Sequence, residues 1–279
     1  MKTVGVVLAA RNEEKSIPGV LAALENQTLR PTEVVVVDDG SRDRSGQILE
    51  AAARHSVFKL TMVNLPYHEK SYVGLPELAA VFNSGLKVLR DSSPKVDFVM
   101  ILGGDHLLPP NYLQKIVEKF EADPFLAVAG GRIANEPYWE HAPRGSSMLV
   151  RFDFWEKVGG VKFPVDYGWE SWLYLKALQT GRQTRSFKDV PTTVSRRTSA
   201  TKGVPYGRAM FALGYYWPYA LGRCALLARR SPRSAVQMFA GYLGHGGVKR
   251  LDVADWVGRS QRRTLVNRAA LVLLRRGRR

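Results

Sequence analysis

Short apolar runs alternate with amphipathic stretches along the first two thirds of the chain. Residues 3–9 are apolar from Val4 onward, and residues 33–39 hold the unbroken run Val34-Val35-Val36-Val37. Continuous rather than alternating apolar runs suit strands buried on both faces of a parallel sheet. Residues 59–65, 97–102, 125–133 and 184–195 read as further strands. Residues 148–158 predict a strand and a short helix stopped by Gly159-Gly160. Between them the apolar positions fall at helical spacing. Ile17, Val20, Leu21 and Leu24 follow a Ser16 cap and Pro18. Ile48, Leu49 and Ala52 mark a second helix, and Leu78, Val81, Phe82 and Leu89 a third. Leu113, Ile116, Val117 and Phe120 mark a fourth. Residues 169–179 predict another, with Gly181 as its stop. Residues 134–147, rich in Pro, Gly and polar side chains, predict a loop. Strand followed by helix throughout predicts a doubly wound α/β sheet with right-handed crossovers.

The last third departs from this pattern. Residues 209–222 are uncharged and aromatic, with Phe211, Tyr215, Tyr216, Trp217 and Tyr219, and end at Arg223. Residues 234–248 are uncharged up to Lys249-Arg250, and residues 269–274 up to Arg275-Arg276. Charge changes at the same place. The 279-residue chain carries a net +16; residues 196–279 hold 18 Lys or Arg against Asp252 and Asp255, whereas residues 1–195 hold 23 of each sign. A neutral body with a basic end implies an anionic partner, membrane or nucleic acid. None of the three stretches reaches the roughly 20 residues that cross hydrocarbon. Aromatic rings flanked by Arg and Lys predict helices lying in a membrane interface, where each basic residue contributes about 1 kcal/mol of attraction to anionic lipid. The alternative is a helical subdomain packed on the preceding part. The shift near Lys202-Gly203 divides the chain into residues 1–203 and 204–279. Cys224 is the sole cysteine, which excludes an intrachain disulfide framework. The apolar run after Met1-Lys2-Thr3 is too short for a signal peptide and is followed by no cleavage pattern.

Polar clusters stand where the predicted strands end. The first strand runs into Ala9-Ala10-Arg11-Asn12-Glu13-Glu14, and the second into Asp38-Asp39-Gly40-Ser41-Arg42-Asp43-Arg44-Ser45. The fourth runs into Gly103-Gly104-Asp105, ahead of Leu108-Pro109-Pro110-Asn111. Val158-Gly159-Gly160 and Gly168-Trp169-Glu170-Ser171 follow. Open α/β sheets bind ligands at the C-terminal ends of their strands. Taken alone, Asp-Asp-Gly-Ser reads equally as a loop capping the next helix through Ser41 or Asp43. In this order and spacing, over roughly residues 1–200, the clusters resemble the motifs of family 2 glycosyltransferases. Those motifs are a Pro-x-Tyr-Asn-Glu segment, Asp-Asp-Gly-Ser-x-Asp-x-Thr, an Asp-x-Asp, a Gly-Gly-Phe and a Glu-Asp pair. The resemblance implies the GT-A fold, a Rossmann-like, mostly parallel sheet flanked by helices, here with a C-terminal helical region at the membrane interface. Two positions depart from it: Gly103 stands in place of the first acid of Asp-x-Asp, and Ser171 in place of the Asp of the Glu-Asp pair.

The resemblance implies a nucleotide-sugar site formed by Ala9, Arg11, Glu13, Asp38, Asp39, Gly104 and Asp105, with Asp38 on the base. Arg11 reads otherwise as a surface ion pair with Glu13 or Glu14. Asp105 is the candidate ligand for Mg²⁺ or Mn²⁺, hard ions that few carboxylates hold together with substrate phosphates. With Gly103 beside it the ion should bind more weakly than is usual in the family. His106 is either a further ligand or a loop-packing residue. Glu170 is the candidate base, with Trp169 and Trp172 beside it to bury it, and Asp166 the reserve. Its alternative is a helix N-terminal charge. A phosphate acceptor needs no base, because it arrives ionised. Arg196 and Arg197 could clamp the donor diphosphate or an acceptor phosphate; otherwise they are ordinary tail charge.

The sequence therefore reads as an inverting glycosyltransferase on the cytoplasmic face of a membrane. It would move a sugar from GDP-mannose or a UDP-sugar to a polyprenyl phosphate or lipid-linked saccharide. The competing readings are a soluble transferase acting on a glycan or small acceptor, and a degenerate member that binds nucleotide-sugar without turnover. Nucleic acid is not expected as a partner: the strand ends offer carboxylates where a phosphate backbone would need positive charge.

Overall fold

The computed structural model describes residues 2–134, 136–195 and 203–276, with side chains to residue 267. Eight strands form one sheet: β1 (Val4–Ala10), β2 (Glu33–Asp38), β3 (Lys59–Asn64), β4 (Phe98–Gly103), β5 (His106–Leu107), β6 (Leu126–Ile133), β7 (Met148–Arg151) and β8 (Gln183–Val194). Their spatial order is β3-β2-β1-β4-β7-β6-β8-β5. The β3-β2-β1-β4 half is parallel, as the alternating pattern predicts. Beyond it β7 runs antiparallel to both β4 and β6, while β6 and β8 are parallel.

Alternate strand residues face opposite layers, the period-2 geometry of a pleated strand. Val4, Val6 and Leu8 of β1, Val34 and Val36 of β2, and Phe98, Met100 and Leu102 of β4 enter one core. That core is closed by Ile17, Val20, Leu21 and Leu24 of α1 (Ile17–Glu25), Leu49 of α2 (Ser45–His55), and Leu113, Ile116, Val117 and Phe120 of α4 (Tyr112–Ala122). Val7, Val35, Val37, Val99 and Ile101 enter the second core. There they meet α3 (Glu77–Asp91), α5 (Phe152–Gly159) and α6 (Trp169–Gln179). Each fully buried Val, Leu or Ile contributes about 1.5–3 kcal/mol, so a charge at Val35 would break both the strand and this layer.

The basic end of the chain folds as α7 (Gly203–Ala212), α8 (Trp217–Ala228), α9 (Pro232–Leu243) and α10 (Ala254–Arg276). It packs on the sheet domain. Ala212, Leu213, Leu251, Val253 and Val257 belong to the second core. Asp252 accepts from Trp172 Nε1 at 2.6 Å and from Lys176 Nζ at 2.5 Å, which ties the start of α10 to α6. Among the described residues no helix is long and apolar enough to cross a membrane.

Candidate active site

Strand register brings the polar clusters level. Ala10 pairs with Asp38 and Ala9 with Gly103, so β1, β2 and β4 end along one edge. The next residues continue the pairing: Asp39 N donates to Ala10 O and Gly104 N to Ala9 O, both at 2.9 Å. A Cβ at Gly104 would stand 3.0 Å from Glu13 Cγ and 3.1 Å from Ala10 Cβ, so the turn lies tightly against the first motif and a larger residue would push its neighbours aside. Glu13 is buried. Its N–H donates to Ser45 Oγ at 2.7 Å and its Oε2 accepts from Ser16 Oγ at 2.5 Å. Ser16 therefore holds the Glu13 carboxylate and makes no side-chain capping bond to α1, contrary to the expectation from sequence.

The Asp-Asp pair splits in two directions. Asp38 Oδ1 accepts from Ser41 N at 3.0 Å, and the start of α2 approaches Oδ2, since a Cβ at Gly46 would lie 3.1 Å from it. Asp39 turns toward the segment after β3, where His68 Nε2 meets Oδ1 at 3.0 Å. Burial pushes the Asp39 carboxyl up, and the His68 hydrogen bond and the charges of His68 and Arg11 pull against it. Arg11 does not pair with Glu13 or Glu14. Its Nη1 contacts His68 Nδ1 at 2.7 Å and Lys70 O at 2.6 Å, and its Nη2 donates to His68 O. Tyr72 stacks on His68 with ring centroids 3.8 Å apart. Gly40, at φ +67°, lets the loop turn beneath Pro66 and Tyr67; a Cβ there would be 2.7 Å from both.

On the other side of Gly104, the loop before β7 closes over the edge. Ser146 Oγ accepts from Gly103 N at 3.0 Å and meets His106 Nδ1 at 2.7 Å, and His106 Nε2 meets Thr192 Oγ1 at 2.8 Å. His106 is fully buried, and burial pushes its pKa down to about 4. Both ring nitrogens are engaged with hydroxyls, so His106 packs the loop and is not available as a metal ligand. A Cβ at Gly103 would stand 3.3 Å from both Asp105 Oδ1 and Ser146 Oγ. Ser146 thus occupies space that a longer side chain at position 103 would need. Asp105 O accepts from Ser195 N at 2.9 Å, joining the turn to the end of β8.

Glu170 reaches the same loop from α6. A Cβ at Gly145 would lie 3.1 Å from its Cδ. The residues Glu170, Gly145, Ser146, Gly103 and Asp105 therefore form one continuous wall. Asn83 sets the approach to α6, since its amide donates to Phe163 O at 2.9 Å and accepts from Phe163 N at 2.7 Å. Trp169 and Trp172 are buried toward the core, and Glu170 itself is exposed, so the tryptophans do not enclose it as expected. Asp166, half-buried, accepts from Tyr167 N at 2.7 Å. Arg196 and Arg197 lie outside the described residues. Among those residues no group of three or more His, Cys, Asp or Glu stands ready to hold a metal. Asp105 fits a divalent ion that arrives with a diphosphate and takes most of its ligands from phosphate oxygens and water.

Comparison with known proteins places these motifs in a family. The profile of the family described as Glycosyl transferase family 2 matches residues 5–201. The chain belongs to glycosyltransferase family 2. This family 2 member is 34% identical over 119 residues to an undecaprenyl-phosphate 4-deoxy-4-formamido-L-arabinose transferase of Pseudomonas aeruginosa, covering 42% of the chain and 32% of the relative. It is 32% identical over 160 residues to the protein of the same name from Serratia proteamaculans, covering 54% and 44%. The chain thus spans less than half the length of these curated relatives. Among solved structures it resembles the mannosyltransferase PcManGT from Pyrobaculum calidifontis in complex with GDP-Man and Mn²⁺. The TM-score is 0.58 at 19% identity, over 97% of the chain and 80% of that structure. It also resembles S. aureus TarS 1–349 in complex with UDP-GlcNAc, with a TM-score of 0.55 at 18% identity, over 88% and 72%. These likenesses carry the GT-A fold, as the motifs imply.

Several residues of the site are silent in the sequence. Gly145 and Ser146 lie in a stretch read only as a loop, and His68 and Tyr72 in a polar connection between β3 and α3. The one available signal was position: Gly145-Ser146-Ser147 directly precedes a buried strand, where a loop must turn sharply, and Ser147 does so at φ +68°.

Proposed function

We propose that this family 2 glycosyltransferase moves a sugar, with inversion, from GDP-mannose or a UDP-sugar to a polyprenyl phosphate at a membrane surface. The observation that carries the reading is the wall linking Asp105 to Glu170 through Ser146 and Gly145, beside the strand-end Asp38 and Asp39. The names of the curated relatives support the acceptor class. Asp38 and Asp39 are the donor-facing carboxylates, with Asp38 on the base, and His68 holds Asp39 at 3.0 Å. Asp105 would hold Mg²⁺ or Mn²⁺ against the donor diphosphate, where the ion neutralises charge on the leaving group. The buried Glu13 and the His106–Ser146 latch keep that edge fixed, so little of the binding energy goes into ordering it. The membrane surface is supported by the exposed side chains of Trp217, Leu221 and Leu226 on α8 and Val236 and Leu243 on α9, close in sequence to Arg223, Arg229, Arg230 and Arg233.

A second reading, transfer to a sugar hydroxyl of a lipid-linked glycan, is favoured by the Glu170 carboxyl lying against Gly145. A hydroxyl needs a base, and an ionised phosphate does not. The test is transfer of labelled sugar from a nucleotide-sugar panel to polyprenyl phosphate in vesicles. Glu170→Gln should retain most turnover with a phosphate acceptor and lose about 10²–10⁴-fold with a hydroxyl. Efficient transfer to a water-soluble acceptor, with no gain from either lipid, would overturn both readings.

A further inference from the structure

We infer that the isoprenoid chain of the acceptor, next to its phosphate, lies in a cleft that α6 and the C-terminal helices build together. This rests on the proposed polyprenyl-phosphate acceptor and assigns the part of the protein that holds the lipid. The cleft has a volume of about 120 Å³ and adjoins the candidate base, since Glu170 and Ser171 line it. Its other walls are rings and aliphatic side chains. Tyr167, Trp169 and Tyr174 come from α6 and its approach, and Leu75 from the loop before α3. Ala209 and Met210 come from α7, Leu213 and Tyr215 from the turn after it, and Arg223 from α8.

Three features suit a prenyl phosphate. First, the size: sites that enclose a whole small molecule run to about 300–1,000 Å³, so this cleft takes one segment of a longer ligand. Second, much of the wall is hydrocarbon, from Leu75, Ala209, Met210 and Leu213 with the ring of Trp169. Burial pushes the Tyr174 pKa up to about 12, so its hydroxyl stays neutral. The Tyr167 hydroxyl accepts from Arg208 Nη1 at 3.1 Å. A branched hydrocarbon would lie along these side chains with no polar group of its own left unpaired. Third, two cations stand at or beside the cleft: Arg223 lines it, and Arg208 donates to the wall residue Tyr167. Neither Arg208 nor Arg223 forms an ion pair among the described residues, and Arg208 Nε is buried without a hydrogen-bond partner. A phosphate at the cleft mouth would satisfy this charge and offset repulsion from Glu170. The helix that gives Arg223 to the cleft also exposes Trp217, Leu221 and Leu226, an apolar route toward a bilayer. On this account the C-terminal helices are half of the acceptor site and not only an anchor.

The test is calorimetry on the full chain with a short-chain prenyl phosphate and the matching prenol. Ala209→Phe fills the cleft from a half-buried helical position without removing a core contact. It should raise Kd for both ligands about tenfold, the loss expected when a couple of methylene groups lose their slot. Affinity for a nucleoside diphosphate with Mn²⁺ should not change. If the larger ring prevents folding, Ala209→Leu replaces it with a smaller shift of the same sign. Arg223→Gln should weaken the prenyl phosphate several-fold and leave the prenol unaffected. If the wild type transfers sugar to polyprenyl phosphate while the filled cleft binds both ligands normally, the cleft assignment fails and the acceptor reading stands. If the wild type binds no prenyl phosphate at all, both fail.

Discussion

Replacing His106 by Ala should destabilise the fold as well as the site. The imidazole is fully buried and meets Ser146 Oγ at 2.7 Å and Thr192 Oγ1 at 2.8 Å. Removing it leaves the Thr192 hydroxyl, 1% exposed, without that partner, at about 1–3 kcal/mol. Ser146 still accepts from Gly103 N, so its loss is smaller. The void left by the ring adds roughly 2 kcal/mol or more. Together these give about 3–5 kcal/mol, a large part of the roughly 5–15 kcal/mol that holds a typical protein folded. His106→Asn can keep a bond to Ser146 and should cost about 1–2 kcal/mol. Thr192→Val combined with His106→Ala should show a coupling of about 1 kcal/mol, because the two side chains share one bond. Urea denaturation, read as midpoint and slope, measures the wild type, both His106 variants, Thr192→Val and the double variant. The same samples, titrated with a nucleoside diphosphate and Mn²⁺, separate two roles for His106. A latch lowers the midpoint in every variant. A metal ligand would leave the midpoint of His106→Ala at the wild-type value and abolish metal-dependent binding, and that result would refute the latch.

Two further outcomes follow from the C-terminal helices. Asp252→Ala removes the acceptor of the buried Trp172 Nε1 and the partner of Lys176, and should cost about 1–2 kcal/mol in urea denaturation; an unchanged midpoint would mean that these helices are an independent appendage. The full chain should co-sediment with anionic vesicles and release as salt rises, whereas the quadruple variant Arg223→Gln, Arg229→Gln, Arg230→Gln and Arg233→Gln should bind measurably less; equal binding by the variant would remove these arginines from the membrane contact.

What the sequence makes legible is whatever burial writes into a periodic pattern. Val34 to Val37 are apolar without a break because β2 is covered on both faces, and all four are fully buried. The Ile17, Val20, Leu21 and Leu24 stripe is buried on α1 for the same reason. Strand direction leaves no such mark, which is why the reversal at β7, Met148–Arg151, is absent from the sequence reading. Nor does an apolar residue state what covers it. The uncharged stretch around Tyr215 reads as membrane-facing, yet Leu213 within it is buried in the second core together with Val253 and Val257. At the site, Asp39, Asp105 and Glu170 are visible because carboxylates at strand and helix ends have chemistry of their own. Gly145, Ser146 and His68 gain meaning only from the distances that place them against Glu170, Gly103 and Asp39. His106 shows the converse. A histidine beside the candidate metal ligand invites a metal role, and the hydroxyls of Ser146 and Thr192 claim both of its nitrogens.

The central claim is that the edge formed by β1, β2 and β4 holds a nucleotide-sugar through Asp105. The most direct measurement is calorimetry of a nucleoside diphosphate, with and without Mn²⁺, on the wild type and on Asp105→Ala. The wild type should bind more tightly with Mn²⁺, and Asp105→Ala, shown to be folded by a cooperative urea transition, should lose the Mn²⁺-dependent part. Equal Mn²⁺-dependent affinity in the two proteins would contradict it.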